Sequence, residues 1–343
     1  MTQEVLFSRE NHVGLITLNR PQALNALTFT MIKAIQTQLT AWRDDSEIHA
    51  VIVRGAGDRA FCAGGDVRAI YHHGRDGYDE KMDFFRAEYR LNRYIHEFNK
   101  PYIALMDGIT MGGGVGISMH GSHPVASENF LFAMPETSIG FYPDVGASHL
   151  LARCPGHFGI YLGLTGKRLG AADAQALGLV RHIIPRNRFA DVLIALINAD
   201  LSSDAYQKID VVLRQFLMPT PTISIEDYAG FVDSCFRHTD MKAIMMALNH
   251  SNDDWYKEVR HVLSEKSPLS LKVTLLQLQK ATSMTLAECL DMDYCLTSHF
   301  MRDPNFDEGV RALLIDKDNQ PHWQPKTLEA VNEIMVDSFF TGE

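Results

Sequence analysis

Short apolar runs alternate with helical patterns through the first half of the chain. Val13–Leu18, Ala50–Arg54 and Tyr102–Met106 are rich in β-branched and other apolar residues. Their length and composition are typical of buried strands. Between the first two runs, the pattern predicts a helix over Asn25–Trp42, after the break at Arg20-Pro21. Strands separated by helices predict an α/β architecture with buried sheets.

A second helical pattern covers Asp79–Phe98 and carries one carboxylate in an apolar row. Glu88 is that carboxylate, and helical spacing places it on the same face as its apolar neighbours. The other members of the row are Phe84, Leu91 and Ile95. The ordinary interpretation is an ion-paired helix residue beside Arg86 or Arg90, and the alternative is a functional acid. Both interpretations stay open on the pattern alone.

The second half of the chain is almost wholly helical in pattern. Ala171–Gly178 predicts a short helix that ends at its glycine, followed by a strand over Val180–Ile184. Ser267-Pro268 is typical of a helix start. We therefore predict an α/β domain over residues 1–190 and a mainly helical C-terminal region over residues 191–343.

Composition narrows the class of protein. The 343 residues are 46% hydrophobic and 22% charged, which is typical of a globular chain long enough for a large core. The net charge of −10 and the absence of a basic run argue against nucleic acid or a membrane as partners. The N-terminal sequence lacks the features of a signal or transit peptide. The five scattered cysteines favour a reducing compartment, so a cytoplasmic location is expected.

Two glycine-rich segments follow or adjoin predicted strands, Ala60–Asp66 and Gly108–Gly116. Glycines let a backbone bend sharply and expose its N–H groups to a ligand, and two such groups form an oxyanion hole. The simpler interpretation is a tight turn or a flexible linker. The apolar surroundings disfavour a solvated linker, and the spacing matches neither a dinucleotide-binding fingerprint nor a phosphate-binding loop.

Two acids lie within an otherwise apolar, turn-rich segment, residues 132–146. Burial there would raise the pKa of Glu136 or Asp144 and favour a role as base or nucleophile. The alternatives are that Glu136 caps a helix and that Asp144 begins a turn after Pro143. The histidines lack ligand spacing and no Gly-x-Ser-x-Gly elbow occurs, so neither a metal site nor a serine hydrolase is predicted.

Taken in order, these segments resemble the crotonase superfamily over residues 10–190. The resemblance implies a spiral of ββα units, a helical C-terminal region and coenzyme A thioester substrates. It further implies an oxyanion hole made by the N–H groups of Gly65 and Gly113, with substrate contacts from Ala63, Gly64, Asp66, Gly112 and Glu88. The matching segments are Asn19–Pro21, Leu24–Leu27, Ala60–Asp66, Gly108–Gly116, Met134–Glu136 and Leu164–Leu169.

Within the superfamily the acids distinguish the reactions. A hydratase carries two glutamates, and this chain has Gly116 where one is expected and Glu136 where the other is expected. Asp144 replaces a glycine that is usual in hydratases. These changes resemble the branch that hydrolyses 3-hydroxyisobutyryl-CoA, as do the segments 84–89, 109–116, 141–146 and 308–318. The branch implies a step of valine catabolism that needs no cofactor, because coenzyme A is part of the substrate.

The resemblance also implies roles for the acids. Glu136 would act as nucleophile through a mixed anhydride, or as general base on water. Asp144 would hold the water or the substrate hydroxyl, or share a proton with Glu136. Glu88 would contact the 3-hydroxyl of the acyl group. The alternatives are a hydratase or isomerase of the same superfamily and a non-catalytic acyl-CoA-binding protein. A homo-oligomer is left open.

Overall fold

A computed structural model describes residues 3–74, 77–219 and 221–342 of the chain. Met1 and Thr2, which begin the N-terminal segment considered above, lie outside the described residues. Contacts between Cα atoms divide the chain into two compact units. Unit 1 combines the segment ending at Gly65 with Ala87–Phe132 and Leu169–Ser224, and unit 2 contains Asp66–Arg86, Ala133–Arg168 and the chain from Ile225 onward.

The strands form a six-stranded and a four-stranded sheet. The six-stranded sheet comprises β1 (Val5–Glu10), β2 (Val13–Leu18), β3 (Ala50–Gly55), β5 (Tyr102–Met106), β7 (His123–Ala126) and β10 (His182–Ile183), in that spatial order. The four-stranded sheet comprises β4 (Ala60–Cys62), β6 (Ile109–Met111), β8 (Leu131–Ala133) and β9 (Leu169–Gly170). In the larger sheet only the β1–β2 hairpin is antiparallel, and its neighbours pair in parallel.

Helices connect the strands and make up most of the chain after residue 186. Those up to residue 176 are α1 (Phe29–Asp44), α2 (Val67–His72), α3 (Tyr78–His96), α4 (Gly113–Gly116), α5 (Ala147–Leu151), α6 (Phe158–Thr165) and α7 (Ala171–Ala176). The later ones are α8 (Phe189–Asn198), α9 (Ala205–Arg214), α10 (Ala229–Phe236), α11 (Met241–Leu248), α12 (Asp254–Glu265), α13 (Pro268–Ala281), α14 (Leu286–Phe300), α15 (Pro304–Val310) and α16 (Glu333–Ser338).

Short turns of 3₁₀- and π-helix make up the remaining helical elements. The 3₁₀ turns are Pro21–Ala23, Glu136–Ile139, Arg186–Arg188, Ile225–Tyr228 and Leu328–Ala330, and Arg311–Ile315 is a π-helical turn. The mixed α/β class and the helical C-terminal region are therefore confirmed. The division of domains near residue 190 stays a prediction.

The core of unit 1 explains why its central strands are apolar on both faces. Alternate residues of β2, β3 and β5 pack with α8 and α9, and the intervening residues of these strands are also buried. A parallel sheet covered on both faces needs such near-continuous apolar strands. The residues of this core on the strands are Val13, Leu15, Ala50, Ile52, Ile103 and Leu105, and those on the helices are Val192, Leu196, Ile209 and Leu213.

The predicted helix Asn25–Trp42 is wrong at its start. The helix begins at Phe29, where the Thr28 hydroxyl caps it by accepting a bond from Met31 N at 3.2 Å. Leu24 and Asn25 have φ angles of 51° and 55° and form a turn instead. Asn25 tolerates this left-handed conformation better than most residues. The helix start predicted at Ser267-Pro268 is confirmed, with the Ser267 hydroxyl accepting from Ser270 N at 3.3 Å.

No helix within the described ranges is both long and apolar enough to cross a bilayer. The five cysteines are free thiols.

Candidate functional site

The first glycine turn, after β4, is held by a buried asparagine of unit 1. Asn25 is 0% exposed, and its Nδ2 donates to the carbonyls of Ala60 and Ala56, both at 2.9 Å. The carbonyl of Gly64 in turn accepts a bond from Leu27 N at 2.8 Å. Gly64 has a φ of +116°, which only glycine adopts readily. The position of this turn therefore depends on the Asn25 loop.

The second glycine turn, between β6 and α4, lies against the first. Gly112 has a φ of 49° with a ψ of −125°, and Gly113 begins α4. A Cβ placed on Gly113 would lie 3.2 Å from Gly65 N, and one on Gly64 would lie 3.6 Å from Gly113 N. The first N–H groups of a helix have no intrahelical acceptor. The two predicted oxyanion residues are thus neighbours within unit 1, and their role stays a prediction.

Glu88 on α3 lies beside this pair of turns. Its side chain is 2% exposed, and a Cβ on Gly113 would overlap its Oε1 atom. Arg86, one of the two proposed ion-pair partners, is exposed and bonds to Asp83 at 2.5 Å. The Glu88 carboxylate is therefore a buried group against the backbone of Gly113, and its contact with an acyl group stays a prediction.

Cys62 at the end of β4 is not a candidate nucleophile. Burial raises the pKa of its thiol to about 12, and the negative charge of Glu88 contributes to the increase. A thiol attacks as its thiolate, which is scarce at neutral pH when the pKa is this high.

Close packing explains why position 116 is a glycine. A Cβ at this position would lie 2.6 Å from Nδ2 of Asn92, a fully buried residue of α3. Both residues belong to unit 1. The space that a glutamate would need at position 116 is therefore occupied by the α3 side chain.

Glu136 begins a 3₁₀ turn in unit 2. It is 7% exposed, and the N-cap of the turn is Pro135, so Glu136 is the first residue of the turn and not its cap. The turn is fixed by Thr137, whose hydroxyl donates to Leu164 O at 3.1 Å and whose carbonyl accepts from Ser267 N at 3.3 Å. The backbone of Glu136 is thus rigidly supported.

Asp144 is 5% exposed and does begin a turn, since its carbonyl accepts from Ala147 N at 2.8 Å. The turn alternative is therefore correct for its backbone, while the carboxylate is buried. Val145 and Gly146 follow with φ angles of 52° and 72°. A positive φ is a genuine outlier for a β-branched residue such as Val145.

The sequence prediction missed Asp293, a fully buried acid on α14. Its Oδ2 accepts from Gly146 N at 2.8 Å. One pattern could have identified it, because Asp293 falls within the buried face of α14 at helical spacing. The other members of that face are Leu286, Cys289, Leu290, Leu296, Thr297 and Phe300.

The remaining predicted substrate-binding residues lie close to the first turn in sequence. Ala63 and Gly64 belong to that turn, and Asp66 caps α2 by accepting from Ala69 N at 3.3 Å. Within the part of the chain that the structure describes, no group of three His, Cys, Asp or Glu side chains can hold a metal ion. The absence of a metal site and of a cofactor stays a prediction.

Comparison with known proteins assigns the family. A family model described as enoyl-CoA hydratase/isomerase matches residues 13–340. The chain belongs to the enoyl-CoA hydratase/isomerase family. The crotonase resemblance and the crotonase-type fold are thereby confirmed.

Individual relatives of this family are similar over almost the whole chain. The mitochondrial 3-hydroxyisobutyryl-CoA hydrolase of Xenopus tropicalis is 42% identical, covering 99% of this chain and 89% of the relative. The Homo sapiens protein of that name is 41% identical over 98% of this chain and 88% of its own. A solved structure of a carnitinyl-CoA dehydratase from Mycobacterium thermoresistibile is 36% identical, with a TM-score of 0.93 covering 100% of this chain and 97% of that one.

The predicted cytoplasmic location is wrong by this comparison. Both hydrolases just named are mitochondrial proteins. The prediction depended on cysteine usage and on the composition of the first residues, and the named relatives contradict it.

Asn25 gives a test of the support beneath the first turn. Asn25→Ala removes both bonds to carbonyls 56 and 60, and each buried group left unpaired costs about 1–3 kcal/mol. We expect a clear fall in the free energy of unfolding, measured in urea. Asn129→Ala, at an exposed asparagine, is the control and should change stability little. Equal stability of both variants would contradict the supporting role.

Gly116 gives a test of the packing that excludes a glutamate. Gly116→Ala should destabilise the protein by about 1–3 kcal/mol, because the new methyl group would overlap Asn92. Gly170→Ala is the matched control, since a Cβ at Gly170 meets nothing within 4 Å. Thermal unfolding of the two variants measures the difference. A Gly116→Ala protein as stable as the control would show that the site has room for a side chain.

Proposed function

We propose that the chain hydrolyses the thioester of 3-hydroxyisobutyryl-CoA to 3-hydroxyisobutyrate and free coenzyme A. The observation that carries this proposal is the near full-length similarity to proteins named for that activity, at 41–42% identity. The acids agree with it, since Glu136 and Asp144 are present and Gly116 replaces a hydratase glutamate. A role in valine catabolism belongs to the same proposal.

The proposed chemistry begins at the thioester carbonyl. Donation from the N–H groups of Gly65 and Gly113 to the carbonyl oxygen would stabilise the negative charge that develops during attack. One such donor typically contributes about 3–4 kcal/mol to the transition state. The adjacent glycine turns of unit 1 support this role because bare backbone N–H groups need close, unobstructed approach.

Glu136 is the proposed attacker or its activator. As nucleophile, its carboxylate attacks the carbonyl carbon, the C–S bond breaks, and coenzyme A leaves as a thiolate. Water then hydrolyses the mixed anhydride and regenerates the carboxylate. As general base, Glu136 instead removes a proton from a water molecule that attacks the same carbon. In both routes a thiolate with a pKa of roughly 8.5 leaves without much acid assistance.

Asp144 and Glu88 have supporting roles in the proposal. Asp144 orients the attacking water or the substrate hydroxyl, and Glu88 accepts a hydrogen bond from the 3-hydroxyl group. The burial of both carboxylates supports these roles, because a buried acid usually needs a compensating function or partner. A homo-oligomer stays a prediction.

Loss of either principal acid should abolish turnover without unfolding the protein. Glu136→Gln and Asp144→Asn preserve side-chain shape, and we expect each to lower thiol release from 3-hydroxyisobutyryl-CoA by about 100- to 10,000-fold. The assay uses a thiol reagent with EDTA present and no nucleotide. Glu97→Gln and Asp254→Asn, at exposed acids, are the controls. Near-normal turnover in either test variant, with an unchanged melting curve, would remove that residue from the mechanism.

A second candidate is hydration or dehydration at the alkene, which the carnitinyl-CoA dehydratase structure favours. Hydration adds a proton to one carbon and the oxygen of water to the other, so an acid and a base are both needed, and Gly116 has no side chain to act as either. We expect crotonyl-CoA to lose alkene absorbance much more slowly than 3-hydroxyisobutyryl-CoA releases thiol, measured on one preparation. Rapid alkene loss without thiol release would replace the hydrolase proposal with a hydratase.

A further inference from the structure

Asp293 is an acid in the middle of α14 whose side chain is fully buried. Both oxygens of its carboxyl accept hydrogen bonds within unit 2. Oδ2 accepts from the backbone N–H of Gly146 at 2.8 Å, and Oδ1 accepts from Nε2 of Gln277 at 2.9 Å. Gly146 lies two residues after Asp144, so α14 is bonded directly to the loop that carries this acid.

Gln277 forms a second connection to the same loop. It is fully buried on α13, and its Nε2 also donates to the carbonyl of Pro143 at 2.8 Å. Side chains of α13 and α14 therefore hold the peptide group that precedes Asp144 and the peptide group that follows Val145. Tyr142 adds a third contact, because its hydroxyl donates to the backbone carbonyl of Asp293 at 2.5 Å.

This loop needs such support because its backbone is strained. Val145 has a φ of 52°, and left-handed conformations of non-glycine residues cost of order 1–3 kcal/mol. Strain of this kind persists only where surrounding contacts over-determine the conformation. Relaxing Val145 would rotate the peptide that follows Asp144 and so displace its carboxylate.

We infer that Asp293, together with Gln277, is a positioning residue that fixes the carboxylate of Asp144 for thioester hydrolysis. The inference rests on the proposed function, because Asp144 acts in that reaction. Asp293 acts through the loop and not by contact with the substrate.

The hydrogen-bond donors around residue 293 explain why an acid occupies this position. Two donors, Gly146 N–H and Gln277 Nε2, point at the side chain, so it must present two acceptor oxygens. Asparagine has one acceptor, and its NH₂ group would face a donor. Burial, followed by the charge of Asp144, holds the pKa of Asp293 well above its usual range. The hydrogen bonds from Gly146 and Gln277 act in the opposite direction and favour the ionised form, which presents two acceptor oxygens.

A residue that only stabilises the fold and a residue that positions Asp144 should have different effects on the kinetics when they are substituted. Substitution of a residue that only stabilises the fold would lower the melting temperature and leave kcat of the folded protein unchanged. Substitution of a positioning residue would lower kcat by displacing Asp144. This effect should largely disappear once Asp144 itself has been replaced by asparagine. A double-mutant cycle separates the two because it measures that coupling directly.

The experiment measures kcat and KM for thiol release from 3-hydroxyisobutyryl-CoA in four proteins: unmodified, Asp293→Asn, Asp144→Asn and the double variant. We expect Asp293→Asn to lower kcat by about 10- to 100-fold with little change in KM. On the Asp144→Asn background the further loss should be less than about threefold. Asp291→Asn, an exposed acid on the same helix, is the matched control and should retain full kcat.

Gln277→Met provides an independent route if Asp293→Asn does not fold. It removes both bonds from Nε2 with a side chain of similar length, and the same coupling to Asp144 is expected. Gln279→Met, at a half-buried glutamine of α13 whose Nε2 donates to Thr239 O at 2.8 Å, is its control.

The outcomes distinguish this inference from the proposed function. Unmodified protein that releases no thiol would overturn both. Active unmodified protein would overturn only the positioning role if Asp293→Asn kept normal kcat, or if its loss were equal on both backgrounds. A kcat loss confined to the background that contains Asp144 would support it.

Discussion

The close approach of backbone to backbone at α4 is the constraint on which the arrangement of unit 1 depends. A Cβ on Gly114 would overlap the carbonyl oxygen of Cys62, so α4 reaches β4 only with glycine there. The parallel pairing of β4 with β6 sets this distance, with Ala60 opposite Ile109. A larger residue would separate the two turns, and the adjacent N–H groups of Gly65 and Gly113 would be lost as a pair.

Several acids of the described chain are buried, and four of them show how such groups are retained. Glu88, Glu136, Asp144 and Asp293 are all less than 9% exposed. Transfer of an isolated carboxylate into an apolar interior is too costly for a merely structural role, so the charge must be compensated or removed. For Asp293 the compensation is visible as two hydrogen-bond donors, Gly146 N–H and Gln277 Nε2. For Glu136 the structure shows support of the backbone, because the neighbouring Thr137 bonds to Leu164 and Ser267.

Sequence patterns predicted much of the fold and identified three of the buried acids as candidates. They failed where contacts between residues distant in sequence determine the local structure. The strands Val13–Leu18 and Tyr102–Met106 were predicted correctly because both sheet faces are buried and the runs are apolar. The start of α1 was missed because Asn25 bonds to carbonyls 31 and 35 residues away, which no local pattern contains. For Asp293 the helical spacing of α14 could have indicated burial, but its bond to Gly146, 147 residues away, is visible only in the tertiary structure.

The contrast between hydrolysis and hydration has a physical basis in the packing of α3. Asn92 fills the space beside Gly116, so the missing hydratase acid reflects a helix–helix contact and not a single exchange of residues. Introducing glutamate at position 116 alone would force a charged group against a buried amide. Asn92 would also have to become smaller before such a side chain could fit. A glutamate at position 116 would therefore require at least two coupled changes, one at Gly116 and one at Asn92.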